Sequence, residues 1–271
     1  MNLPPNSVLV DAVIAASIEA GETIIKIRNA GLRVEKKSDH SPVTEADRAA
    51  EAIITEALAR VAPGIAVIAE EAVYEGRIPP TGEAFFLVDP LDGTREFTKG
   101  GNDFTVNVGL VVNGAPTMGV IYVPATGKLY GGAVGEGAWR AEVADGVVSA
   151  RRPMQVRPAP AGPIDVVASK SHRTKETDAC IARYEVGKLV SAGSSVKFCV
   201  VAAGEADLYP RLGSTMQWDT AAGDAILRAA GGRVVTLDGK PLGYGPNGAP
   251  GSEAFRNPWF IATGGMDPLP G

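Results

Sequence analysis

The stretch FFLVDPLDGTREF, residues 85–97, ends an apolar run at Asp89 and sets a second acid, Asp92, three positions on. Two carboxylates this close repel unless a basic side chain, a shared proton or a metal ion lies between them. Three more acids stand at the ends of elements and not on solvated helix faces: Glu70 and Glu71 after IAVIA, and Asp219 beside Trp218. Singly, each is an ordinary turn former or helix cap. Together they make an oxygen-only donor set, which suits Mg²⁺ sharing its shell with water and substrate. Two histidines, and two cysteines (Cys180 and Cys199) well apart in sequence, give a zinc site little support.

The motif LDGT invites comparison with phosphatases that use an aspartyl nucleophile in the order Asp-x-Asp-Gly-Thr. Here the position two before Asp92 is Pro90, so that nucleophile is missing from its slot. Cys199 is followed by VVAAGE with no arginine to bind a phosphate, and no Arg-His-Gly occurs for a phosphohistidine route. Direct attack by a metal-activated water is what remains.

The elements that must position these acids are legible in the periodicity. Residues 8–29 predict an amphipathic helix with Ile14, Ile18 and Ile25 on one face, and residues 44–61 a second helix with Thr44 as N-cap. The period then shortens. IAVIAEE and AFFLVD predict strands that deliver acids at their ends, and residues 104–140 an antiparallel meander turning at Asn113-Gly114 and Thr126-Gly127. RRPMQVRPAPAGP, residues 151–163, predicts a linker, its four prolines excluding helix and interior strand. Beyond it strand and helix alternate: IDVVAS, TKETDACIARYE, KLVSAG, SVKFCVVAAGEADLYP, DTAAGDAILRAAGG with Gly231 as C-cap, and a closing strand GRVVT. The expectation is one catalytic domain over 1–271, an α+β lobe (about 1–157) joined to an α/β lobe (about 158–271).

The chain has 271 residues, 45% hydrophobic, enough for a sizeable core, and a net charge of −5. With a pI near 5.2 it has no global field to draw in nucleic acid or an anionic membrane. Asp11, Glu19 and Glu22 interrupt the apolar N-terminus and no basic segment precedes it, so neither a signal peptide nor a membrane span is expected. The cysteine usage fits a reducing, cytoplasmic setting, with peripheral inner-membrane association left open.

DPLDGTREF, AEE upstream and WDTAAGDAIL downstream resemble the three metal-site motifs of the inositol monophosphatase superfamily, and the match runs in family order from SPVTEAD to the WDT helix. Within it, EFTKGGNDFTVNVGLV, ASKSH, GSSVKFCVVAAGEADLYPRLG and WDTAAG resemble the bacterial 3′(2′),5′-bisphosphate nucleotidases. Asp224 is a departure, standing where those nucleotidases often carry histidine. The resemblance implies a layered αβαβα sandwich and a Mg²⁺-dependent, Li⁺-sensitive phosphatase with two or three metals. Glu70, Asp89, Asp92, Asp219 and the Leu91 carbonyl would hold them, while Asp47 and Thr94 would orient and deprotonate the attacking water. The implied substrate is adenosine 3′,5′-bisphosphate, the product left by sulfate transfer or reduction, hydrolysed to AMP and phosphate. Its sulfated relative is a second candidate. Gly93, Thr94 and Asp219 would touch the substrate, and His172, Ser194, Lys197 and Arg211 would cradle its 5′-phosphate. Two other readings stay open: an inositol or sugar monophosphatase on the same scaffold, and a regulatory protein without catalysis.

Overall fold

The structure, a computed structural model, describes residues 3–4, 6–31, 34–36, 42–169 and 173–268. Helices α1 (Asn6–Ala30) and α2 (Glu45–Val61) flank a ribbon of β1 (Val34–Lys36) and β2 (Pro42–Thr44). Then come β3 (Ala66–Ala69), the short helix α3 (Glu70–Tyr74), β4 (Ala84–Asp92) and the short helix α4 (Thr94–Thr98). The meander comprises β5 (Thr105–Val112), β6 (Ala115–Val123), β7 (Lys128–Ala133), β8 (Gly137–Ala144), β9 (Val147–Val148) and β10 (Arg152–Met154). The remainder is β11 (Ile164–Ser169), α5 (Lys175–Ile181), β12 (Val186–Ala192), α6 (Val196–Ala202), β13 (Leu208–Arg211), α7 (Ala221–Ala229), β14 (Arg233–Thr236) and β15 (Phe260–Thr263).

The first sheet runs β10-β8-β7-β6-β5-β4-β3 with β9 paired to β8, and only β3–β4 is parallel. The second runs β12-β11-β13-β15-β14. Helices α1 and α2 cover one face of the first sheet, α6 and α7 lie between the sheets, and α5 packs outside the second. This is the αβαβα layering that the resemblance implied. Strand β4 shows why its sequence is apolar at every position: Phe86 and Val88 enter the core beneath α1 and α2, whereas Phe85 and Leu87 enter the core around α6 and α7. A strand buried on both faces cannot alternate polar and apolar residues. Each such side chain contributes roughly 2 kcal/mol by leaving water.

Three elements differ from the sequence expectation. Arg152–Met154, expected within the linker, joins the first sheet, and Pro153 is tolerated because β10 is its edge strand. Glu70 ends no strand but opens α3. The final strand is β15, not β14; it lies between β13 and β14, pairing antiparallel with both.

Helix α7 sits unusually close to the first sheet. Gly109 and Gly119 are direct cross-strand partners, and a Cβ on either would stand 2.7 Å from Ala222 N or 2.2 Å from Ala222 O. The first turn of α7, three residues past Asp219, therefore rests on a patch of bare backbone. Gly119→Ala should push α7 outwards and cost roughly 1–3 kcal/mol, read as a lower urea midpoint at unchanged slope.

Candidate active site

The acids converge because of strand register. Strands β3 and β4 run parallel and in step, Ala69 beside Val88, so Glu70 and Asp89 leave neighbouring strands at one level. On the other side of β4, Asp89 faces Asn107 and Asp92 faces Thr105, so two residues, Pro90 and Leu91, stand opposite one, Val106. This is a β-bulge at Pro90-Leu91. In an unbroken strand, residues three apart point to opposite faces. The extra residue restores the alternation, and both acids line one cavity of about 240 Å³. Gly93 follows at φ +94°, a left-handed conformation that favours glycine, and turns the chain into α4 with Thr94 at its start.

That cavity is also lined by Glu70, Leu91, Gly93, Thr94, Ser194, Lys197, Arg211 and Asp219. Asp47 lies just behind it, 1% exposed, joined through Thr94. His172 lies outside the described residues. Trp218 and Tyr209 are buried in the core between the sheets and also line the cavity. Asp224 is buried one turn into α7, paired with Arg228 at 2.7 Å and hydrogen-bonded by Tyr244 at 3.1 Å, and burial pushes its carboxyl up to about 6.

Each acid is held by donors from a different part of the chain. Asp89 accepts from Leu91 N at 3.0 Å, and Asp219 from Met216 N at 2.9 Å. The Asp92 carboxylate is within reach of two hydroxyls, Ser194 at 2.6 Å and Ser195 at 2.8 Å. The Asp47 carboxylate takes Thr44 N and Thr44 Oγ1 on one oxygen, both at 2.7 Å, which leaves the other for Thr94 Oγ1 at 3.2 Å. The Thr94 hydroxyl also reaches the Leu91 carbonyl, at 3.0 Å.

Burial pushes the Asp89 carboxyl well above the ordinary range, and the charges of Glu70, Asp92 and Asp219 push it further. Burial first and then Asp92 and Glu70 do the same to Asp219. In the same cavity, burial pushes the Lys197 ammonium down to about 8, against the pull of Asp92 and Asp219. Lys197 donates to the Ser194 carbonyl and lies 5.3 Å from the Tyr209 ring centre. Arg211 donates to the Ser214 carbonyl at 2.6 Å, and its buried Nε has no hydrogen-bond partner among the described residues.

As the side chains stand, no three acids, histidines or cysteines among the described residues are gathered tightly enough to grip an ion. The donor chemistry nevertheless fits a hard divalent cation: four carboxylates and the Leu91 backbone, oxygen donors throughout, line one cavity.

The family model described as the inositol monophosphatase family matches residues 6–262. The chain belongs to the inositol monophosphatase family. Among curated relatives in this family, the 3′(2′),5′-bisphosphate nucleotidase CysQ of Shigella flexneri is 41% identical over 254 residues, 93% of this chain and 98% of the relative. The crystal structure of CysQ from Bacteroides thetaiotaomicron matches with a TM-score of 0.76 at 38% identity, covering 94% of this chain and 97% of that one. An inositol monophosphatase from Anabaena matches with a TM-score of 0.70 at 26% identity, covering 95% and 91%. Among the described residues, no helix is long and apolar enough to cross a membrane.

Sequence reasoning missed the buried polar groups that back this family site. Ser195 Oγ lies 2.6 Å from the Asp219 carbonyl as well as beside Asp92, and it accepts from Asn107 Nδ2 at 3.0 Å. Thr105 pairs with Ser194 at 2.6 Å. The available signal was FTVNV, where polar residues alternate inside an otherwise apolar strand. Glu51, 6% exposed, was missed too, although it stands four residues after Asp47 on one helix face.

A carboxyl raised by folding holds its proton more tightly in the folded state. Its contribution is intact below the unfolded value, near 3.8, and is lost as pH rises through the raised folded value. In EDTA, Asp89→Asn should therefore gain stability over wild type as pH rises from about 4 towards neutrality. Urea unfolding of both proteins across that range checks the sign; a constant difference would contradict it.

Proposed function

We propose that this chain is a Mg²⁺-dependent 3′(2′),5′-bisphosphate nucleotidase. It removes the 3′-phosphate of adenosine 3′,5′-bisphosphate to leave AMP, with the sulfated relative as a second substrate. The observation that carries this reading is that one cavity is lined both by four carboxylates and by the buried cations Lys197 and Arg211. A monophosphate needs only the carboxylates and the cations they bind. A bisphosphate also uses Lys197 and Arg211, and Arg211 Nε, which has no partner among the described residues, is a donor still to be satisfied. Relatives named for this activity cover nearly the whole chain.

Mg²⁺, when bound by Glu70, Asp89, Asp92, Asp219 and the Leu91 carbonyl, supplies Lewis-acid polarisation of the phosphoryl oxygens and acidifies a water. The chain's own residues do the rest. Asp47, with one oxygen locked by Thr44, presents the other to Thr94, so the hydroxyl has a fixed acceptor for its proton. Thr94 Oγ1 then accepts a proton from the attacking water as it passes its own to Asp47. The water oxygen bonds to phosphorus, the bond from phosphorus to O3′ breaks, and O3′ takes up a proton from solvent. Lys197 and Arg211 hold the 5′-phosphate and orient the ring of the sugar for this attack. Gly93 and Ser194 border the same space, and two or three Mg²⁺ ions with Li⁺ inhibition belong to this reading. The α+β and α/β lobes act as one catalytic unit in a cytoplasmic setting, working on the nucleotide left by sulfate transfer.

Phosphate release with Mg²⁺ from adenosine 3′,5′-bisphosphate and from inositol 1-phosphate tests the substrate. Preference for the nucleotide supports the proposal, and preference for the inositol ester overturns the roles given to Lys197 and Arg211. Lys197→Met and Arg211→Ala should each raise KM for the bisphosphate about tenfold or more and leave the inositol ester nearly unaffected. Thr94→Val should lower kcat about 10²–10⁴-fold at a nearly unchanged Tm. Mg²⁺ should raise the Tm of wild type far more than that of Asp92→Asn, and equal shifts would count against the metal site.

A further inference from the structure

Glu51 is neither a metal ligand nor a substrate contact, yet it joins α2, which carries Asp47, to α3, which begins with Glu70. It lies on α2, one turn after Asp47, with its carboxylate turned into the protein. One oxygen accepts Glu71 N at 2.7 Å and the other accepts Ala72 N at 2.9 Å. Those amides are the second and third of α3, whose own N-cap residue, Ala69, has no side chain able to accept them. Free amides at a helix start must find acceptors, and a buried pair left without them is costly. A carboxylate from a different helix fills that role here, with a charge-assisted bond on each oxygen.

The first residue of α3 is Glu70. The direction in which Glu70 leaves β3 is therefore set by the clamp on the next two amides. The same clamp fixes the span between Glu70 and Asp47, because Asp47 and Glu51 share one rigid helix turn. We propose that Glu51 is a positioning residue that holds the Glu70 carboxylate in register with Asp89 for Mg²⁺ binding. This rests on the reading of Glu70 as a metal ligand.

The glutamine variant, Glu51→Gln, keeps the size but offers only one acceptor to the two amides and sets an N–H against the other. Glu51→Asp keeps the charge but falls a methylene short of them. Ile54→Val, in the core on the same helix, is the control for general loosening, since it lowers Tm and leaves the carboxylate bonds to Glu71 N and Ala72 N in place. Mg²⁺ affinity of the four proteins is measured by isothermal titration calorimetry and by the Mg²⁺-induced rise in Tm. Both Glu51 variants should bind Mg²⁺ about tenfold or more weakly, with kcat at saturating Mg²⁺ within about threefold of wild type. Ile54→Val should match wild type in affinity. If the glutamine variant does not fold, the aspartate variant gives the same readout. Glu51 variants that lose Tm but bind Mg²⁺ as wild type does would reduce Glu51 to a helix cap and overturn the inference alone. Wild-type protein without any Mg²⁺ response would overturn the metal-site reading and this inference with it.

Discussion

Four carboxylates share one small cavity, and their mutual repulsion in a poorly solvated space is the constraint around which the surrounding structure is arranged. Such a cluster persists only if each acid is anchored from behind and the charge is answered from in front. The anchoring is distributed. A backbone amide holds Asp89, another holds Asp219, two serine hydroxyls border Asp92, and Thr44 locks the nearby Asp47. The donors to Asp89, Asp219 and Asp47 are local, whereas Ser194 and Ser195 come from far along the chain, so Asp92 is anchored only when the layers meet.

The meeting of the layers is itself a packing problem. Helix α7 carries Asp219 just ahead of its first turn and must approach the first sheet closely for that acid to reach the cavity of Asp89 and Asp92. The opposed glycines 109 and 119 remove the side chains that would prevent it. Ser195, on the loop leaving the second sheet, then bridges the Asp92 carboxylate and the Asp219 carbonyl. A small shift of α7 is thereby a shift of the acids, which ties core packing to chemistry.

The polarity of the cavity extends this logic to substrate. The acids need cations to accept any phosphate at all, whereas Lys197 and Arg211 accept one directly. Their burial matters as much as their charge. Desolvated cations interact more strongly with a phosphate than exposed ones do, and Arg211 Nε has no partner among the described residues.

Much of this was legible in the residues alone. The apolar run of β4 cut off at Asp89, the acids at strand ends and the absence of other nucleophiles pointed to oxygen-ligated metal chemistry, because residue types and local periodicity encode them. The motifs in order pointed to the family and its layers. Long-range geometry was not legible. Sequence spacing alone sends Asp89 and Asp92 to opposite faces of a strand, and the bulge against β5 decides otherwise. Glu51 reads as one more helix acid until α3 is placed over it, and Ser195 as a loop hydroxyl until two distant acids close around it. Residue type and period are local properties of the chain, whereas register and burial are set by partners far away in sequence, and only the folded structure determines those.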